Sequence, residues 1–102
     1  MVGGICGRNF GFISRSLSNG FVIGNQNVGG IAGYNYGEIS LAVNLEKVFS
    51  KFNVGGIAGY NEKIVIRCAN IADIFGESNV GGIIGANKGM QITEQLLKEN
   101  AI

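Results

Sequence analysis

Cys6 and Cys68 are the only thiols in this chain, and none of its 102 residues is a histidine that could take a proton from either. A cysteine nucleophile needs an activating base, so both residues read as small side chains packed inside, with free thiols. The missing histidine also removes the paired imidazoles of a zinc protease. A calcium site needs clustered carboxylates, but the seven acidic residues are dispersed and Asp73 is the sole aspartate. The glycines of Val28-Gly29-Gly30-Ile31-Ala32-Gly33-Tyr34-Asn35 have the spacing of a loop that cradles a phosphate. A dinucleotide fingerprint occurs once, between a strand and a helix. This phrase occurs four times and runs on into asparagine and further extended chain. No catalytic residue, metal or cofactor is expected.

The residues left for recognition are aromatic. Tyr34 and Tyr60 are separated by one full period of the sequence, Arg8 stands one period before Tyr34, and Phe10 and Tyr36 repeat the same interval two positions on. Planar rings and a cation recurring at one spacing form a candidate stacking surface for a glycan or an extended peptide of a host protein. The competing reading is ring-on-ring packing that stabilises the scaffold itself.

What positions these residues is repetition. The chain divides into Val2 to Asn27, Val28 to Asn53, Val54 to Asn79, and a last copy from Val80. The recurring residues of the two middle copies are Val28, Gly29, Gly30, Ile31, Gly33 and Asn35, then Val54, Gly55, Gly56, Ile57, Gly59 and Asn61. Identical residues at one spacing imply identical environments, as in units stacked along an axis. Each unit carries two short apolar runs and a third patch, rich in Ile, Val and Phe and punctuated by Gly and Asn, which read as strands. The expected fold is all-β, a β-solenoid of four stacked 26-residue coils over 2–91 (2–27, 28–53, 54–79 and 80–91). In-column stacking puts each residue about 4.8 Å from its copy. Cys6 and Cys68 then stand about 9.6 Å apart along the axis, too far for a disulfide.

Composition agrees with stacked backbone. Eighteen glycines and no proline suit a ladder in which every N–H donates, the glycines allowing close approach and taking up turns. The Asn27, Asn53 and Asn79 column and the Asn9, Asn35, Asn61 and Asn87 column read as turn positions whose stacked amides bond along the axis. Column register sets Glu62 beside Lys88, Lys47 beside Asp73 and Lys51 beside Glu77, each pair of opposite sign. Over residues 92–102, the run Ile92-Thr93-Glu94-Gln95-Leu96-Leu97-Lys98 has helical spacing and an N-cap, predicting a short helix that caps the solenoid. The first coil has no such cover, which suggests a fragment or end-to-end self-association.

The net charge of +1 with scattered Lys and Arg argues against nucleic acid as a partner. No apolar run is long enough to span a membrane.

The phrase Asn27-Val28-Gly29-Gly30-Ile31-Ala32-Gly33-Tyr34-Asn35-Tyr36-Gly37-Glu38-Ile39-Ser40 resembles the GLUG motif, with Ile where Leu is usual. Gly11 to Leu17 and Gly20 to Gly24 supply the rest of that pattern. The resemblance covers residues 2 to about 90. It implies a non-enzymatic repeat module of a bacterial cell-surface or secreted protein, an adhesin-like stalk or interaction surface. The alternative it implies is an accessory, non-catalytic region of an immunoglobulin A-specific metalloendopeptidase.

Overall fold

Each full repeat unit bends into five short strands. The computed structural model describes residues 1–92. The first coil holds β1 (Val2–Gly3), β2 (Cys6–Asn9), β3 (Phe12–Ser14), β4 (Leu17–Ser18) and β5 (Val22–Ile23). The second holds β6 (Gln26–Gly29), β7 (Ala32–Asn35), β8 (Glu38–Ser40), β9 (Val43–Asn44) and β10 (Val48–Phe49). The third holds β11 (Phe52–Gly55), β12 (Ala58–Asn61), β13 (Ile64–Ile66), β14 (Ala69–Asn70) and β15 (Ile74–Phe75). A fourth begins with β16 (Ser78–Gly81), β17 (Ile84–Asn87) and β18 (Met90–Ile92). The described residues therefore make three complete coils and part of a fourth, with more and shorter strands per coil than the apolar runs suggest.

Every strand pairs in parallel with its copy in the adjoining coil, giving five sheets around the axis. Val28 sits between Val2 and Val54, Tyr34 between Arg8 and Tyr60, and Ile39 between Ile13 and Val65. The isoleucine file is bonded through the backbone as well. The Ile5 N–H donates to the Ile31 carbonyl (2.9 Å), Ile31 to Ile57 (3.0 Å) and Ile57 to Ile83 (2.9 Å). The charged columns share that register, with the Glu77 N–H donating to the Lys51 carbonyl at 2.9 Å.

The helix expected over 92–102 lies outside the described residues apart from its first position. Ile92 is the last residue of β18, and β18 pairs in register with β13, Ile92 opposite Ile66. Strand β18 therefore runs into the first position of the expected helix.

Two apolar spines run through the stack. Ile31, Ala32, Ile39, Ala42, Ile57, Ala58, Val65, Cys68 and Ile84 form the larger, and Val22, Val28, Val48 and Val54 the smaller. Glycine separates them. A Cβ on Gly59 would fall 2.6 Å from the Asn27 backbone carbon and 2.7 Å from the Asn53 carbonyl oxygen, so the β7/β12 and β6/β11 layers meet backbone to backbone. That pinch turns Val28 and Ile31 into different interiors. A fully buried side chain of this size contributes about 1.5–3 kcal/mol, and Val28, Ile31, Val54 and Ile57 are all fully buried.

Glycine does not make the sharp corners. Among the described residues every left-handed backbone position belongs to another residue type: Asn27 (φ 54°), Asn53 (51°), Asn79 (54°), Arg15 (50°), Leu41 (54°) and Arg67 (53°). The Asn column was readable, since Asn tolerates this conformation. The Arg15/Leu41/Arg67 column was not.

Candidate binding face

Recurring polar residues are turned inward. Asn9 Nδ2 donates to Asn35 Oδ1, Asn35 Nδ2 to Asn61 Oδ1 and Asn61 Nδ2 to Asn87 Oδ1, each at 2.8 Å. The same amides bind their own loops and the next coil, the Asn35 Oδ1 accepting from the Gly37 N–H (3.3 Å) while Nδ2 donates to the Gly37 carbonyl (3.1 Å) and to the Ile64 carbonyl of the third coil (3.0 Å). A second ladder runs the opposite way, from Asn79 to Asn53 to Asn27, again at 2.8 Å per step. A third step, from Asn44 Nδ2 to Asn70 Oδ1 (2.8 Å), fits because Gly30 and Gly56 have no Cβ to meet those carboxamides. The Asn9, Asn35, Asn61 and Asn44 carboxamides therefore act as an internal scaffold, the Asn27–Asn53–Asn79 ladder runs half-buried to exposed along the coil, and recognition falls to what points outward.

The outward file on β2, β7 and β12 carries Arg8, Tyr34 and Tyr60 in register, followed by Ala86 on β17. Tyr34 and Tyr60 stack with centroids 5.4 Å apart and planes 11° from parallel. Tyr36 lies beside Tyr34 in nearly the same orientation, 6.4 Å away and 4° from parallel, and Phe10 tilts against Tyr36 at 5.8 Å. Four of the residues singled out by spacing are thus brought together. Arg8 keeps its register beside Tyr34, but its Nε donates to the Met1 Sδ at 3.0 Å.

The cation seated over a ring is one that spacing alone did not pick out. Lys63 places Nζ 5.1 Å from the Tyr36 centroid. Its column otherwise holds Gly11, Gly37 and Gly89, which leaves it room. Burial within the file, then the charge and hydrogen bonding of Glu62, then Tyr60 and Tyr36, hold the Tyr34 phenol above its ordinary pKa. Stacked phenol rings, one ammonium and one carboxylate make this a surface for stacking and hydrogen bonding.

A second aromatic file also escaped the sequence reading. Phe49 and Phe75 stack at 4.7 Å and 11°, and Phe21 leans onto Phe49 at 5.2 Å. The signal was present, since Val22, Val48 and Ile74 point inward and each is followed by an outward apolar residue in column.

Both cysteines are free. Cys6 stands in register with Ala32, and Cys68 is buried, its thiol donating to the Ile66 carbonyl at 3.4 Å. Burial pushes both thiols above the ordinary value, the direction that makes a thiol inert. Among the described residues there is no group of three or more His, Cys, Asp or Glu side chains placed to hold a metal, and no helix is long and apolar enough to cross a membrane. No family model matches the chain, and comparison with curated proteins and with solved structures returns no match.

Proposed function

We propose that this chain is a non-enzymatic repeat module of an exported or cell-surface protein, whose stacked coils hold an outward aromatic file as an interaction surface for a glycan or host protein. The observation that carries the reading is the division of labour between columns. The repeated Asn carboxamides bond one another and their own loops inside the coil, while Tyr34, Tyr36 and Tyr60 stand on one outer face with Arg8, Glu62 and Lys63 around them. A rigid, parallel stack supports such a file because the strand spacing of about 4.8 Å is close to ring-stacking distance. The placement outside the cell follows the GLUG resemblance of residues 2 to about 90.

The test is the double variant Tyr34→Ala/Tyr60→Ala, screened beside the parent chain on arrays of glycans and host extracellular proteins. The expected result is an unchanged β-rich circular dichroism spectrum with loss of the binding shown by the parent chain. Undiminished binding by the double variant would remove this face from consideration.

A further inference from the structure

We infer that the gap at Ala86 is a stacking subsite for a carboxylate-bearing sugar ring, an inference that rests on the binding-face reading above and names its ligand class. Tyr34 and Tyr60 are neighbours along the stacking direction and nearly parallel, so the face of Tyr60 that does not meet Tyr34 is turned toward the fourth coil. The residue in register there is Ala86. A methyl group takes the place that rings fill in the second and third coils, leaving a step one ring deep with Tyr60 as its wall.

The step is charged on one side. Lys88 occupies the column of Tyr36 and Glu62, two residues from Ala86 on the same edge, and it is exposed. Its N–H donates to the Asn61 carbonyl at 2.8 Å, which fixes its backbone beside the step. Glu62 stands in that column one coil earlier, close enough to the Tyr34 phenol for its charge to raise the Tyr34 pKa. Among the described residues, the groups at the step are an aromatic face, a small floor and the Lys88 ammonium, with the Glu62 carboxylate one coil earlier. A pyranose stacks its C–H face on such a ring while its hydroxyls stay in water, and a carboxylate on that ring is the group Lys88 would attract.

The probes are a glucuronate-containing disaccharide and its neutral glucose counterpart, titrated against the 15N-labelled chain. Amide shifts centred on Tyr60, Ala86 and Lys88 are expected with the acidic sugar, and weaker ones with the neutral sugar. Ala86→Phe removes no existing ring and fills the step, so it should abolish those shifts while thermal stability is kept. Lys88→Ala should weaken the acidic sugar by about two- to fivefold and leave the neutral one unaffected, as for one exposed charge. Ala86→Gly, which keeps the step open, should bind like the parent. Shifts unchanged in Ala86→Phe, or equal affinity for both sugars, would overturn the subsite. If the tyrosine double variant has by then lost its array ligand, the binding face stands and only the subsite falls.

Discussion

Asn44 stands in register over Ser18, and its Oδ1 is a fully buried acceptor with no donor. One coil on, Asn70 Oδ1 receives the Asn44 Nδ2 at 2.8 Å and the Ala72 N–H at 3.2 Å. The first coil breaks this ladder because serine lacks the amide that would reach across.

Ser18→Asn should therefore stabilise the fold. Gly4 lies against Ser18 as Gly30 lies against Asn44, so there is room for the longer side chain. Satisfying a buried acceptor contributes about 1 kcal/mol, or roughly 4–8 °C in Tm for a chain near this size. A thermal melt in which the variant unfolds at or below the parent temperature would contradict the ladder reading.

Asn61→Ala and Asn87→Ala separate the interior of a ladder from its end. The first leaves the Asn35 Nδ2 without one acceptor, the Asn87 Oδ1 without one of its two donors and the Lys63 N–H unbonded. Urea unfolding should show a loss of about 2–4 kcal/mol. Asn87 is exposed, and its removal should cost about 1 kcal/mol or less.

Gly30→Ala and Gly20→Ala test close approach against mere flexibility. A Cβ at Gly30 would run into the Gly56 carbonyl and the Asn44 carboxamide, both fixed, and should cost at least about 2–3 kcal/mol. Gly20 has open space and no left-handed φ, so alanine there should be neutral or stabilising by up to about 1 kcal/mol. Denaturant midpoints of the two variants on opposite sides of the parent are the expected outcome.

Leu41→Gly addresses the unusual corner. Leucine at φ 54° carries a left-handed penalty of roughly 1–2 kcal/mol, and the side chain is 41% exposed, so the packing lost is that of a partly covered leucine and not of a core one. A gain of about 1 kcal/mol is expected, partly offset by the entropy of glycine in the unfolded chain. A destabilised variant would show that Leu41 packing outweighs its backbone strain.

Alkaline pH should weaken the fold. Cys6, Cys68 and Tyr34 all have pKa values raised in the folded state, the thiols from 9.0 and the phenol from 10.0, chiefly by burial. A group that holds its proton more tightly when folded contributes stability that is intact below its unfolded pKa and is lost as pH rises toward the folded value. Stability measured by urea unfolding should fall from about pH 9 upward. Cys68→Ala should flatten that decline, and Cys6 should react with a thiol reagent ahead of the buried Cys68 in the native protein.

Much of the site was legible because parallel, in-register stacking converts sequence spacing directly into spatial adjacency. Residues one period apart must touch once the coils stack, so the Arg8, Tyr34 and Tyr60 file and the Phe10–Tyr36 contact followed from counting alone. Counting could not say that Arg8 would turn to Met1, nor that Lys63 would sit over Tyr36, because long side chains choose among neighbours in adjoining columns. The second aromatic file was equally regular in sequence, but seeing it required knowing that Val22, Val48 and Ile74 point inward.

By itself the sequence determined the repeat, the parallel register and the identity of each column, since only an unbroken period lets every N–H and carbonyl find the copy above or below. The tertiary structure decided how one coil closes. Five strands per turn, left-handed corners at Arg15, Leu41 and Arg67, and a glycine pinch that divides the interior are imposed by bringing the chain back over its own start. No local propensity encodes that closure, because Arg and Leu ordinarily avoid such corners and accept them here only where the surrounding ladder holds them.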